Sequence, residues 1–169
     1  APQMATTTTA VQTPATGLQP AFKRVAQTND FDCWLACIAT LVARPLADVR
    51  QVAVEKLKLP KNGPYPFMDE IMIAKLLAHW SLLATVWKES TGIASLPDVA
   101  IGLAAYDPET EIGRHVVFVR QRNESGKVVQ EYVIDPAYWI EPSQHIRTDI
   151  KGFPISWHIG VTPMRPAGK

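Results

Sequence analysis

The chain carries three side chains that together can support nucleophilic catalysis: the thiol of Cys33, the imidazole of His115 and the carboxylate of Asp135. Cys33 opens an apolar run that is typical of a buried helix. Unsatisfied N–H groups and the helix dipole at such a position lower the pKa of a thiol, and the thiolate is the reactive form. The ordinary role of a cysteine is that of a small buried hydrophobe. Its position at a helix start favours a nucleophile instead.

The spacing of His115 and Asp135 predicts that they meet across a hairpin. Two strand-like segments, 114–121 and 128–134, flank the turn-forming stretch Asn-Glu-Ser-Gly. A hairpin centred on Ser125 places His115 directly opposite Asp135, with Cβ atoms roughly 4.5–5.5 Å apart. A carboxylate there fixes the imidazole tautomer and stabilises imidazolium, which in turn stabilises a thiolate. A shift of one residue in the register would separate the two side chains.

Gln27 and two further histidines are weaker candidates. Gln27 precedes Cys33 by six positions, from which its amide could donate to an oxyanion beside the Cys33 backbone N–H. Spacing alone favours an ordinary solvated loop glutamine. His145 and His158 are rival bases, but no pattern places a carboxylate opposite His158. A structural role is therefore expected for it.

The elements that must position these residues are predicted from hydrophobic periodicity. Three helices are followed by about five strands, which is an α+β arrangement with a mostly antiparallel sheet. The first helix is apolar nearly all round and therefore belongs at the centre of the domain. The predicted helices are 33–43, 46–57 and 68–80, and the predicted strands are 82–87, 99–106, 114–121, 128–134 and 156–161. Residues 1–20 form a Thr/Ala/Pro-rich flexible leader or linker, and residues 21–165 form the folded domain.

Composition narrows the class of protein. The 169 residues are 47% hydrophobic, which suits one domain with a sizeable core. A net charge of +1 gives no reason to expect a nucleic-acid partner, and no apolar run is long enough to span a membrane. Cys33 and Cys37 lie four apart in one predicted helix, where a disulfide would be strained, so both are expected as thiols. The four histidines lack paired ligand spacing, so neither a metal nor a cofactor is expected.

As a set, these motifs resemble those of papain-like cysteine peptidases, and most closely the bacteriocin-processing peptidases that cut double-glycine leader peptides. The resemblance implies a papain-like fold with the nucleophile at the start of a central helix. It implies that Cys33 is the nucleophile, His115 the general base and acid, Asp135 the orienting residue and Gln27 an oxyanion donor. The matching segments are the Gln27-to-Cys33 spacing, Asp32–Leu41, Leu96–Ile101, His115-Val-Val-Phe-Val and Val-Ile-Asp135-Pro136.

The implied activity is hydrolysis of peptide bonds in a protein or peptide substrate through an acyl-enzyme. Trp34 stands where the bacteriocin-processing peptidases usually have Gly, and the membrane transporter that usually follows them is absent from this sequence. A stand-alone member is therefore expected, such as a bacterial effector or toxin domain with an inhibitor or immunity partner. Related acyl transfer (isopeptide cleavage, cell-wall amide hydrolysis or transfer to an amine) stays open. So does a catalytically silent binding module on the same scaffold.

Aromatic side chains supply candidates for a substrate groove. Trp34 is the best of them because it adjoins the nucleophile. The Pro-rich loop 60–67 is a candidate groove wall. The remaining aromatic residues are expected mainly to pack the core. They are Tyr65, Phe67, Tyr138, Trp139 and Trp157.

Overall fold

A computed structural model describes residues 20–63, 65, 68–110 and 112–164. The predicted leader, apart from Pro20, lies outside these residues, and so do Phe67 and part of the predicted groove wall. Among the described residues, no helix combines the length and the apolar character needed to cross a membrane.

In the described part of the chain three helices precede the sheet, as predicted: α1 (Cys33–Val42), α2 (Leu46–Leu57) and α3 (Glu70–His79). Helix α1 buries nine of its ten residues, which is why its sequence is apolar on every side. It ends where Ala43 adopts a left-handed conformation (φ 57°) and donates its backbone N–H to the carbonyl of Ala39. Cys33 is thus the first residue of the most buried helix.

The sheet is antiparallel at every pairing among the described residues. The strands are β1 (Leu82–Ala84), β2 (Lys88–Glu89), β3 (Val99–Asp107), β4 (Ile112–Arg122), β5 (Val128–Ile134), β6 (Ile146–Arg147) and β7 (Ile155–Pro163). Their order in the sheet is β1-β7-β3-β4-β5-β6, with β2 also paired to β7. The two strands without a predicted counterpart, β2 and β6, are only two residues long, too short to produce a periodic pattern.

The sheet has two buried faces, and β4 contributes to both. Val117 and Val119 pack in the larger cluster with the helices, whereas Val116 and Phe118 pack in a second cluster on the other side. Because side chains alternate along a strand, His115 shares the face of Val117 and points towards α1.

The register of β4 and β5 differs from the predicted one. Near the turn Arg122 pairs with Val128, as a hairpin centred on Ser125 requires, but the next pair is Gln121 with Gln130. One extra residue of β5, Val129, therefore lies within the ladder as a β-bulge. Every later pair is shifted by one position, so the predicted opposition of His115 and Asp135 is wrong.

Candidate active site

The site is centred on a contact between Cys33 and His115. Cys33 Sγ lies 3.2 Å from His115 Nδ1, and the His115 backbone N–H donates to the same sulfur over 3.4 Å. Both residues are buried. Helix α1 supplies the thiol and β4 the imidazole, and the two elements pack directly against each other. The structure thus brings together two residues that are 82 positions apart in the sequence.

Burial sets the resting charge of this pair. It lowers the pKa of His115 from 6.5 to about 4. Burial also raises the pKa of Cys33 above its ordinary value; the His115 backbone N–H opposes that shift, and the charge of Asp32 adds to it. At neutral pH the pair is therefore a thiol and a neutral imidazole. The predicted lowering of the Cys33 pKa is wrong because desolvation outweighs the helix start.

The second nitrogen of the imidazole has no hydrogen-bond partner among the described residues, although it is buried. If Nδ1 accepts from the thiol, Nε2 carries the ring proton and is a free donor. The ring of Trp87 lies beside the imidazole, with 5.8 Å between ring centroids. A carboxylate is the usual partner of a nitrogen in this position.

Asp135 lies at the end of β5 and contacts arginines rather than His115. Its Oδ1 accepts from Arg114 Nη1 and from the Ala137 backbone N–H, the latter over 3.1 Å. Its Oδ2 accepts no hydrogen bond from the described residues and lies 3.7 Å from Arg147 Nε. This placement follows from the bulge, since the shifted register no longer sets Asp135 opposite His115. Sequence spacing could not reveal one inserted residue.

Gln27 is buried, unlike the solvated loop residue that spacing alone favours. Its backbone N–H donates to the Pro136 carbonyl over 2.8 Å, and its Nε2 donates to the Asn29 carbonyl over 2.8 Å. The carbonyl of Asn29 fixes which end of the amide is nitrogen. One N–H of Nε2 therefore stays available for a further acceptor.

Asp32 is a further functional candidate, one that sequence reasoning missed. It occupies the N-cap position of α1 but makes no capping hydrogen bond to the helix. Its fully buried carboxylate instead accepts from the preceding loop, through Thr28 and Asn29, and from Arg50. No sequence motif signals this arrangement, because Arg50 lies in a different helix.

The aromatic residues considered for a substrate groove differ in their exposure to solvent. Trp34 is 0% exposed, so its prediction as a groove residue is wrong: the side chain belongs to the core. Tyr138 and Trp139 are instead about half exposed, and the Arg114 guanidinium lies 5.8 Å from the Trp139 ring centre. The Tyr138 hydroxyl donates to Asp30 Oδ1 over 2.7 Å, so this ring lies beside the loop that leads into Cys33.

The rival histidines have other partners. His158 Nδ1 lies 2.8 Å from Ser90 Oγ, and the carbonyl of His145 accepts the Asp135 backbone N–H over 2.9 Å. Burial lowers the pKa of both imidazoles. Within the described part of the chain, no group of three His, Cys, Asp or Glu residues is placed to hold a metal ion.

A thiol at the start of a central helix, in contact with a histidine of an antiparallel sheet, is the arrangement of an α+β protein with a cysteine–histidine site. The chain is similar to the crystal structure of a double glycine motif protease from an AMS/PCAT transporter in complex with the leader peptide. The TM-score is 0.55 at 15% identity, over 89% of this chain and 98% of that one. This likeness shows the fold, and the predicted α+β class is confirmed. No protein-family model and no curated protein matches the sequence.

Proposed function

We propose that this protein is a cysteine peptidase with Cys33 as nucleophile and His115 as general base and acid. The observation that carries the proposal is the 3.2 Å contact between Cys33 Sγ and His115 Nδ1. That distance suits direct proton transfer between sulfur and nitrogen. The similarity in fold to a double glycine motif protease supports the same class of reaction.

The neutral resting pair defines the order of proton transfers. As the Cys33 sulfur attacks the peptide carbonyl, its proton passes to His115 Nδ1. The resulting oxyanion accepts from the Cys33 backbone N–H and from the free N–H of Gln27 Nε2. His115 then returns the proton to the amine as the C–N bond breaks, which leaves a thioester. A water molecule, deprotonated by His115, hydrolyses this thioester and releases the acid.

Asp135 as the orienting residue of His115 is a further part of the proposal, and it requires a different contact from the one described. Two observations support it: within the described part of the chain, His115 Nε2 is a buried donor without an acceptor, and Asp135 Oδ2 is a buried acceptor without a donor. The ion pair with Arg114 competes for the carboxylate. Asp135→Asn would slow acylation of Cys33 in the wild-type background and leave the slow rate of His115→Ala unchanged.

A protein or peptide is the proposed substrate. Tyr138 and Trp139 offer exposed aromatic surface beside the site, suited to an extended peptide with apolar side chains. The similar structure holds a leader peptide, so peptides with a Gly-Gly pair are the first substrates to try. Action as a delivered bacterial effector or toxin, and an immunity partner, rest on the sequence resemblance alone.

The test combines acylation with cleavage. We would incubate the protein with p-nitrophenyl acetate and with a peptide library that includes Gly-Gly sequences, and follow both by mass spectrometry beside Cys33→Ala. Acetylation of Cys33 together with cleavage that the variant lacks is the expected result. Acetylation without cleavage would favour the related acyl transfers. A Cys33 that is neither acetylated nor needed for cleavage would overturn the proposal and favour a binding module.

A further inference from the structure

We propose that Asp32 and Arg50 form a positioning pair that holds the carboxamide of Gln27 in place for the oxyanion at Cys33. The inference deepens the proposed function and rests on it. Asp32 directly precedes the nucleophile, and its side chain is 1% exposed. Neither residue touches the reacting atoms. Each acts through the loop that carries Gln27.

The contacts of Asp32 close this loop onto the start of helix α1. Its Oδ1 accepts the backbone N–H groups of Thr28 and Asn29, each over 3.1 Å. Its Oδ2 accepts the Thr28 hydroxyl over 2.6 Å. A buried carboxylate that accepts several N–H and O–H groups imposes their geometry, because each lost bond would leave a buried polar group unpaired.

The same loop holds the side chain of Gln27. The Asn29 carbonyl accepts from Gln27 Nε2, so the segment that Asp32 closes also fixes the amide. The Gln27 backbone is fixed at its other side by the bond to Pro136. The carboxamide is therefore held by a chain of hydrogen bonds that runs from Asp32 through Asn29.

Arg50 supplies the positive charge that pairs with the buried carboxylate of Asp32. Arg50 Nη2 lies 2.9 Å from Asp32 Oδ2 and 3.2 Å from the Thr28 hydroxyl oxygen, so helix α2 reaches over the loop. The charge matters to the nucleophile, since the negative charge of Asp32 raises the pKa of Cys33. A buried carboxylate beside a nucleophilic thiol works against its ionisation. Its role in holding the loop that carries Gln27 explains why a carboxylate occupies position 32.

Two reactions of Cys33 separate these effects. Acylation by p-nitrophenyl acetate forms a tetrahedral oxyanion, whereas alkylation by iodoacetamide is a displacement at carbon without one. Asp32→Asn keeps the size of the side chain but replaces one accepting oxygen by an amide N–H₂, which cannot accept from the N–H and O–H groups of Thr28 and Asn29. We expect acylation to fall about tenfold or more. Alkylation at pH 8 should become faster, because the charge that disfavours the Cys33 thiolate is gone.

Arg50→Gln, with Gln27→Ala as reference, completes the set. In Arg50→Gln the Asp32 charge loses its cation, so we expect acylation and alkylation both to slow. Gln27→Ala should slow acylation and leave alkylation unchanged. The double variant Gln27→Ala/Asp32→Asn should acylate no more slowly than Gln27→Ala, because both changes remove one interaction.

The outcomes are distinct from those that test the peptidase. If wild-type Cys33 is not acylated, the proposed function fails. If it is acylated and Asp32→Asn acylates at the same rate, the positioning pair is overturned. Multiplicative losses in the double variant would overturn it as well. Should Asp32→Asn lose its circular dichroism signal, Thr28→Val serves in its place: at an exposed residue it removes the 2.6 Å bond to Asp32 and the 3.2 Å contact with Arg50. An unchanged acylation rate in folded Thr28→Val would then overturn the pair.

Discussion

His115 contacts the sulfur of Cys33 at two points: its imidazole Nδ1 lies 3.2 Å from Sγ, and its backbone N–H donates to Sγ over 3.4 Å. The backbone contact ties the sulfur to strand β4 itself, the strand that carries the imidazole. The geometry of the pair is thus set by helix α1 packing on the sheet. Preorganisation of this kind reduces the entropy cost of reaching the transition state.

Removal of either member of the pair should abolish acylation of the protein. Cys33→Ala lacks the nucleophile, and His115→Ala lacks the group that accepts the thiol proton. We expect each to lower the rate of acylation by p-nitrophenyl acetate by about 10³-fold or more. Cys37→Ala is the matched control, since Cys37 is buried one turn further along α1 and the mechanism does not use it. A Cys37→Ala variant as inactive as Cys33→Ala would contradict the assignment.

Acid should destabilise the protein through His115. The pKa of its imidazole is about 4 in the folded chain and 6.5 when unfolded, so the unfolded chain binds more protons between these values. Stability is therefore present above pH 6.5 and is lost as the pH falls towards 4. This residue accounts for about 3 kcal/mol of that loss. Urea unfolding of wild type and His115→Gln from pH 7 to 4.5 measures it.

His158→Gln is the matched control for this window. Burial lowers the pKa of His158 too, so its removal should flatten the pH dependence in the same sense. The effect should be smaller than that of His115→Gln. Unfolding curves of His115→Gln that shift with pH in parallel with wild type would show that His115 is not buried as a neutral imidazole.

Asp135 should contribute to stability through its arginines, whatever its role in the reaction. Asp135→Asn preserves shape but removes the charge that pairs with Arg114 and lies near Arg147. We expect the free energy of unfolding to fall by about 2–3 kcal/mol, since both arginines are about one fifth exposed and water compensates them in part. Asp149→Asn, at an exposed position, should change it by less than about 0.5 kcal/mol. Equal unfolding midpoints for the two variants would refute the ion-pair role.

Strong hydrophobic patterns in the sequence predicted the helices and strands. The register between β4 and β5 could not be predicted, because it depends on a local irregularity. Helix α1 and strand β5 lie where their apolar runs indicate. The bulge at Val129 left no signal in the sequence, because Val128 and Val129 are two exposed valines at the start of β5 and do not show which of them is the inserted residue. It moved Asp135 out of register with His115.

The hydrophobic pattern of α3 also does not show which face of this helix is buried. Ile71 is 59% exposed, although it is as apolar as Ile73, Leu76 and Leu77, which pack in the core. With apolar residues on two sides, the helix offers two stripes, and the neighbouring helices decide which one is covered. The same reasoning applies to Trp34, which tertiary packing places in the core despite its position beside the nucleophile.

The end of the nucleophile helix offers a stabilising substitution remote from the site. Ala43 is exposed and adopts φ 57°, a conformation that costs a side chain with a Cβ and that glycine adopts freely. Ala43→Gly should raise the free energy of unfolding by about 0.5–1 kcal/mol and leave acylation of Cys33 unchanged. Ala47→Gly, at an exposed position inside α2, is the matched control and should lower stability, because there glycine only adds disorder to the unfolded chain. Chemical denaturation of the two variants measures both changes. A change in the free energy of unfolding of the same sign in both variants would mean that the left-handed conformation at Ala43 carries no cost.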